Sequence, residues 1–188
     1  MQEGVILKEI SIEEVLELQN SIIVDVRTPK EYEEDHIPDS INIPIFDDDE
    51  RAIIGTLYKQ KGKEVAVKTG IEITSPKLQD FYNKYLTLSK QYNQIILYCF
   101  RGGMRSGSLV NFLNEMGLNV LKISGGYKSY RNYVLDYLDN LSMKHQFIVL
   151  HGHTGTGKTQ LLEALEEKGC CVLNLEALAQ NSGSVYGE

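Results

Sequence analysis

Short apolar runs that alternate with helical patterns constrain the fold of this chain more than any other feature. Runs typical of buried strands lie at residues 22–26, 94–98 and 119–123, and shorter ones lie at residues 5–7 and 41–45. Strands that alternate with helices predict an α/β fold, a mostly parallel sheet with helices on both faces. In such a sheet, a site is expected outside the carboxyl ends of the strands.

Capping and turn signals mark where the helices begin. Ser11 and Glu14 form a capping box, and Pro29 suits the first turn of a brief helix. The acidic run at residues 47–50 is interpreted as a solvated helix start, and residues 76–92 as a longer helix.

Residues 99–105, the cysteine loop, read Cys-Phe-Arg-Gly-Gly-Met-Arg and directly follow the predicted strand at residues 94–98. Ser106 then opens a helical pattern. Backbone N–H groups in such a strand–loop–helix cradle point at one spot and bind anions. We therefore predict catalytic roles for Cys99, Arg105 and Arg101, and an anion cradle formed by Phe100, Gly102, Gly103, Met104 and Ser106.

The chemistry predicted for Cys99 follows from this placement. A positive potential favours the thiolate, which is the nucleophilic form of cysteine. Arg105, and with it Arg101, would add charge and bidentate contacts to an oxyanion. A cysteine of this kind handles a sulfur, selenium or phosphorus group. Asp25 and Arg27, at the end of another strand, are interpreted as a structural pair bracing the same edge of the sheet.

Composition limits the class of protein. With 42% apolar and 24% charged residues the chain is globular, and no apolar run approaches the roughly 18 residues of a membrane span. No signal peptide is recognisable, which predicts a cytoplasmic protein. Three cysteines give neither a disulfide framework nor metal-ligand spacing, so no tightly bound metal is predicted. Cys170 and Cys171 are expected to be buried in a strand.

The charge distribution suggests a polyanionic partner. Residues 51–147 carry 14 basic and 6 acidic residues, although the whole chain has a net charge of −7. A basic middle segment in an acidic chain is compatible with RNA, and equally with a solvated mixed surface.

Residues 152–159, the phosphate loop, read Gly-His-Thr-Gly-Thr-Gly-Lys-Thr and match the P-loop pattern in full. Predicted strands at residues 147–151 and 171–175 lie on either side of this loop and its helix. The glycines would let the backbone wrap phosphate oxygens, and the lysine would supply charge. The predicted phosphate-binding residues are Gly152, Gly155, Gly157, Lys158 and Thr159, with Thr159 a possible magnesium ligand in an intact domain only.

The region after the phosphate loop is too short for a complete nucleotide-binding domain, because a strand, a helix and a strand cannot cover both faces of a parallel sheet. We therefore expect two domains, residues 1–143 and an incomplete domain at residues 144–188, and expect the chain to be truncated. Nucleotide hydrolysis by these residues alone is not expected.

Two segments resemble the signature of rhodanese-like domains: residues 25–32, Asp-Val-Arg-Thr-Pro-Lys-Glu-Tyr, and residues 36–44, His-Ile-Pro-Asp-Ser-Ile-Asn-Ile-Pro. The cysteine loop and the Gly-Gly-Tyr turn at residues 125–127 fit the same family. The resemblance covers roughly residues 1–140 and implies that Cys99 carries a transferable group, which in that family is a persulfide sulfur.

The length of the cysteine loop leaves alternatives open. Five residues separate Cys99 from Arg105, where sulfurtransferases usually have four, and the longer loop resembles those of phosphatases and arsenate reductases. Tyr98 argues the other way, because tyrosine phosphatases typically have histidine at that position. A generic rhodanese sulfurtransferase and a phosphatase-like or arsenate-reducing enzyme are the alternatives. A non-catalytic regulatory or RNA-binding module is a third, against which the intact Cys99 argues.

The order of motifs resembles a more specific family, the tRNA 2-selenouridine synthases, which join a rhodanese-like domain to a C-terminal P-loop domain. Residues 99–106 match the Cys-aromatic-Arg-Gly-Gly-x-Arg-Ser loop of that family. Residues 50–60, 175–179 and 183–187 resemble its other characteristic segments.

That resemblance implies a two-step modification of the wobble base in a tRNA anticodon loop. A 2-thiouridine is S-geranylated from geranyl diphosphate, and selenium from selenophosphate then replaces the geranylthio group. Cys99 would carry selenium, the cysteine loop and Arg105 would hold the phosphate of selenophosphate, and residues 152–159 would hold a diphosphate. The implied partners are tRNA and small-molecule phosphate donors, and no membrane.

Overall fold

The computed structural model describes residues 9–141 and 146–178. The chain forms two compact units, residues 1–139 and residues 140–188. The predicted strand at residues 5–7 lies outside the described residues. No helix in the described part of the chain is long and apolar enough to cross a membrane.

The first unit contains a five-stranded sheet in which every pair of neighbouring strands is parallel. The strand order is β1-β5-β4-β2-β3. This arrangement confirms the predicted α/β class. The strands are β1 Glu9–Ile10, β2 Ser21–Asp25, β3 Ile41–Asn42, β4 Gln94–Tyr98 and β5 Val120–Ile123.

Helices connect these strands. Capping boxes at Ser11 and Thr28 begin the first two helices, and Asp47 caps the third, as the acidic run predicts. A 3₁₀ turn, Ser75–Lys77, precedes the fifth. The helices are α1 Ile12–Glu17, α2 Pro29–Glu34, α3 Asp48–Lys61, α4 Lys63–Thr74, α5 Leu78–Ser89, α6 Met104–Glu115 and α7 Gly126–Asp139.

Strand β4 lies at the centre of the sheet and is buried on both faces, which explains its unbroken apolar sequence. Its side chains alternate between two cores. Ile95 and Leu97 belong to the core that includes residues of α5 and α6, whereas Ile96 and Tyr98 belong to the core that includes residues of α1 and α7. Cys99 continues the alternation and packs in the first of these cores.

Helices α3 and α4 form a pair. The acidic run at residues 47–50 predicted the start of α3, but apolar periodicity predicted no other part of the pair. Helix α3 buries no residue, and α4 buries only Ala66. Their apolar residues Ile54 and Ile73 are only partly buried against the core. Such a weakly buried face gives a weaker sequence signal than the stripe of a core helix.

The second unit differs from the prediction. Its helices are α8 Lys158–Glu167 and α9 Leu175–Leu178, and α8 confirms the helix predicted after the phosphate loop. The strands predicted at residues 147–151 and 171–175 are absent from residues 146–178. Ile148 is 94% exposed. The expected burial of Cys170 and Cys171 is also wrong, because both are exposed. A strand forms only where a neighbouring strand bonds its N–H and C=O groups, and the described residues of this unit supply none.

Candidate active site

Cys99 directly follows β4 and is 3% exposed. Two N–H groups at the beginning of α7 donate hydrogen bonds to the carbonyl of Cys99 and to the carbonyl of the residue that follows it. The N–H of Tyr127 donates to the Cys99 carbonyl at 2.9 Å, and the N–H of Lys128 donates to the Phe100 carbonyl at 3.0 Å. The Gly-Gly-Tyr turn and the cysteine loop, which are far apart in sequence, are therefore one structural unit.

Two glycines make this close approach possible. Gly126 has φ of +62°, and a Cβ atom there would lie 2.1 Å from the Cys99 carbonyl oxygen. Gly102 also has φ of +62°, and its Cβ would lie 2.9 Å from the Ile123 carbonyl oxygen. Only glycine combines this backbone conformation with so short an approach. The glycines of the loop and of the turn are therefore a steric requirement of the site.

A buried lysine braces the loop from the sheet. Lys122 of β5 donates its Nζ to the Gly102 carbonyl at 2.8 Å and pairs with Glu9 at 2.6 Å. The hydrogen bond from Lys122 is the main reason that the pKa of Glu9 is lowered. The sequence analysis missed this residue. Its signal is a lysine inside an otherwise apolar strand.

The cysteine sulfur has a hydroxyl partner. Cys99 Sγ lies 3.1 Å from Ser106 Oγ, and Ser106 is buried in the first turn of α6. A serine hydroxyl can donate to a thiolate or to a chalcogen bound to it. Gly103 at the N-cap provides no side-chain cap, so the first N–H groups of α6 are not occupied by a cap. The structure thus brings Ser106, Gly103 and Met104 together at the start of α6, while the anion cradle predicted there stays a prediction.

Arg105 is engaged in an ion pair. Its guanidinium donates to the Glu31 carboxylate at 2.6 and 3.3 Å. Burial raises the pKa of Glu31, but the hydrogen bond and charge of Arg105 outweigh burial, and the pKa lies below its ordinary value. Glu31 also accepts from the Thr28 N–H in the capping box of α2. The Glu31 carboxylate thus occupies the guanidinium N–H groups of Arg105 that the sequence analysis assigned to an oxyanion. The role of Arg105 toward a substrate stays a prediction.

The outer side of the cysteine loop is accessible. Phe100 is 40% exposed and Met104 is 56% exposed. The exposed Arg101 places its guanidinium carbon 5.9 Å from the Phe100 ring centroid. Phe100 in turn lies 6.3 Å from the ring of Tyr127. The aromatic and cationic groups that a flat base can stack on are therefore at the surface of the loop.

Asp25 and Arg27 are a structural pair, as the sequence suggests. Both are buried, and Arg27 Nε and Nη2 lie 2.9 and 2.7 Å from Asp25 Oδ2. The Arg27 guanidinium also lies 4.2 Å from the ring centroid of Tyr127. Burial and a hydrogen bond to Asp35 raise the pKa of Tyr127 to about 12. This cluster fixes the α7 side of the site.

The phosphate loop has the backbone that its sequence predicts. Gly155 and Gly157 have φ of +82° and +78°, and Gly157 immediately precedes α8. Lys158 Nζ donates to the carbonyls of Gly152 and His153, each at 2.8 Å. Thr159 lies in the first turn of α8. The loop thus brings four of the predicted residues together with the helix N-terminus, while phosphate binding and the magnesium role of Thr159 stay predictions.

Comparison with known proteins assigns both units. The model of the rhodanese-like domain family matches residues 11–133. The chain therefore belongs to the rhodanese-like domain family. The model of the tRNA 2-selenouridine synthase AAA domain matches residues 145–188.

The chain is similar along most of its length to curated tRNA 2-selenouridine synthases, which confirms the resemblance predicted from its motifs. It is 39% identical over 170 residues to that of Bdellovibrio bacteriovorus, covering 90% of this chain and 44% of the relative. It is 40% identical over 166 residues to that of Nitrosomonas eutropha, covering 88% and 42%. The chain thus spans slightly less than half the length of these relatives.

A solved structure supports the fold of the first unit. The crystal structure of the N-terminal domain of a protein from Clostridium difficile 630 is 51% identical, with a TM-score of 0.66. The match covers 67% of this chain and 98% of that domain.

Proposed function

We propose that this chain carries the selenium-transfer part of a tRNA 2-selenouridine synthase. In this function a wobble 2-thiouridine is S-geranylated from geranyl diphosphate, and selenium from selenophosphate then takes the place of the sulfur, which leaves with its prenyl chain. Cys99 is the selenium carrier: its sulfur forms an S–Se bond while the Se–P bond of selenophosphate is hydrolysed to phosphate, and a disulfide oxidant takes up the two electrons released. A thiol returns two electrons when the S–Se bond breaks and selenium stays on the base. The observation that carries the proposal is a buried cysteine at the N-terminus of α6, with Ser106 Oγ 3.1 Å from its sulfur, in a chain that matches both domains of that enzyme.

The cradle suits a phosphate-bearing donor. The first N–H groups of α6 present partial positive charge, and no side chain caps them. Ser106 can donate to a selenium atom held at Cys99. Arg105 would turn from Glu31 to the phosphate of selenophosphate when that anion enters, because both are acceptors of the same bidentate geometry.

The outer side of the loop suits a single-stranded base. Bases in RNA loops are recognised by splaying them out and stacking them on aromatic or guanidinium planes. Phe100 and Arg101 offer both on the exposed side of the cysteine loop. The basic residues of the segment 51–147 would contact the phosphate backbone of the anticodon arm.

The phosphate loop has a separate role in this proposal. Residues 152–159 would hold the diphosphate of the geranyl donor or of a nucleotide, with Lys158 released from its own loop carbonyls to contact the phosphates. This role belongs to the longer protein that the relatives represent.

Labelled selenophosphate tests the proposal. With a disulfide supplied as the two-electron oxidant, we expect label on the wild-type chain and none on Cys99→Ser, because only Cys99 of the three cysteines lies in the cradle. Cys170→Ser is the matched control and should load like wild type, because Cys170 is exposed in the second unit. Loading that persists in Cys99→Ser would overturn the proposal. Rapid turnover of an aryl phosphate without selenium uptake would favour the phosphatase alternative, and sulfur transfer from thiosulfate alone would favour a generic rhodanese.

A further inference from the structure

An apolar cavity of about 460 Å³ lies between α3, α4, α5 and α6 of the first unit. Its walls include Phe46, Ile54, Val67 and Phe112, which are apolar side chains from four different segments. The cavity is partly open to solvent, and ligand pockets start at roughly 300 Å³. Its volume and apolar walls therefore fit a ligand pocket.

Helices α3 and α4 bury few side chains beside this cavity. Helix α3 buries no residue, α4 buries only Ala66, and Gly70 of α4 has no side chain to fill the space. A Cβ at Gly70 would lie 3.6 Å from Phe46, an ordinary contact, so the methyl group of alanine fits there. Glycine also weakens a helix interior. The sequence therefore keeps this space open at some cost to the helix.

The cavity shares its wall with the proposed active site. Met104 and Arg105 line the cavity and also end the cysteine loop, in the first turn of α6. A group bound in the cavity therefore lies next to the loop that carries Cys99.

Cations lie at two places along this apolar wall. Arg105, which pairs with Glu31, is one, and Lys63, where α3 meets α4, is the other. The exposed Tyr58 also lines the cavity. Lys59 and Lys61 are exposed on the same stretch of chain. An apolar interior with cationic ends matches an apolar chain that is attached to a polyanion.

We propose that this cavity binds the hydrocarbon chain carried by the sulfur of the modified nucleotide, while the RNA phosphates contact the lysines at its edge. The inference rests on the proposed function and adds to it a site for the prenyl chain. Burial of the chain would place the carbon–sulfur bond that breaks beside the cysteine loop. It would also make the site prefer the geranylated base over 2-thiouridine, because the latter leaves the cavity empty.

Binding of synthetic anticodon stem-loops tests the inference. One stem-loop carries S-geranyl-2-thiouridine and the other carries 2-thiouridine, and the dissociation constants for the wild-type chain are measured at fixed salt. We expect the geranylated stem-loop to bind about tenfold more tightly. Equal affinity for the two would overturn the inference.

Filling the cavity sharpens the test. Gly70→Leu and Val67→Phe should each reduce the preference to about twofold or less, because the added side chain occupies the space of the prenyl chain. Gly55→Leu is the matched control. It adds the same side chain to α3 outside the cavity wall, where only the end of the flexible Arg51 side chain is in the way, and it should keep the full preference.

The two proposals fail separately. Thermal unfolding shows whether Gly70→Leu and Val67→Phe are folded. If one of them is not, the affinities measured for the other variant decide whether the cavity binds the prenyl chain. A preference that survives in a folded filling variant would overturn the cavity assignment. Selenium loading of the wild-type chain needs no RNA, so its absence would contradict the proposed function, whereas loading without a geranyl preference would contradict the cavity alone.

Discussion

Two glycine-rich loops lie in this chain, each between an apolar run and the N-terminus of a helix, and they differ in what surrounds them. The cysteine loop follows the central strand of a five-stranded sheet, and Cys99 is 3% exposed. The phosphate loop follows residues 146–151, which form no strand, and Ile148 in that segment is 94% exposed. Both loops have glycines with positive φ, Gly102 in the cysteine loop and Gly155 and Gly157 in the phosphate loop.

The lysines of the two loops show the same difference. Lys122 reaches the Gly102 carbonyl from a neighbouring strand and is buried. Lys158 donates to carbonyls of its own loop and is partly exposed. Glycine spacing thus encodes the backbone of an anion loop locally, whereas the supports that hold the loop come from residues distant in sequence.

A glycine-to-alanine substitution in each loop tests this difference in surroundings, and it gives the largest expected change in stability. Gly126→Ala should destabilise the first unit by more than about 3 kcal/mol, because its Cβ would lie 2.1 Å from the Cys99 carbonyl oxygen at positive φ. Gly155→Ala has the same kind of φ but no neighbouring atom within 4 Å, and should cost about 1 kcal/mol, confined to the second unit.

Urea unfolding followed by tyrosine fluorescence measures the first effect, since ten of the 11 tyrosines lie in residues 1–139. Similar midpoints for Gly126→Ala and wild type would show that the turn does not support the cysteine loop. A large shift in Gly155→Ala would show that the two units do not unfold independently.

The two lysines give the next largest effect. Lys122→Met should destabilise the first unit by about 2 kcal/mol, because it leaves the Gly102 carbonyl and the Glu9 carboxylate without their buried donor. Lys158→Met is the matched control and should change stability by less than about 0.5 kcal/mol, because its partners are exposed. The same tyrosine-detected unfolding compares them, and equal effects would contradict the distinction drawn between the two loops.

The parts of the fold that periodicity encodes were predictable. β2, β4 and β5 are buried apolar runs, and the helices with capping boxes begin where Ser11 and Pro29 indicate. The α3–α4 pair was not predictable beyond its start, because its apolar residues are mostly exposed or only partly buried and give a weak helical signal.

The site was predictable only where its residues are contiguous. Cys99 and Ser106 belong to one loop and helix start, and the structure places their side-chain atoms in contact. Lys122 and Glu31 support that loop from other elements, and their own local patterns, a lysine in an apolar strand and a capping box, do not show which distant residue each one contacts. The strands expected around the phosphate loop failed for the same reason, because pairing depends on partners that a local pattern does not reveal.

The pair between Arg105 and Glu31 gives the smallest predicted effect and tests whether the cysteine loop also depends on distant charge. The pKa of Glu31 is lower in the folded chain than its ordinary value near 4.5. Its contribution to stability is therefore fully present above that value and is lost as pH falls through the folded pKa.

Glu31→Gln should cost about 1 kcal/mol at neutral pH, and the difference from wild type should shrink as pH falls through the lowered pKa of Glu31, because the wild-type carboxylate is then protonated as well. Unfolding free energies measured from pH 7 to pH 3 check this. Glu34→Gln, on the exposed end of the same helix, is the control and should follow the wild-type curve. A constant difference between Glu31→Gln and wild type at every pH would mean that Glu31 acts through packing or capping of α2. In that case Arg105 would be free to meet an anion without first releasing a charged partner.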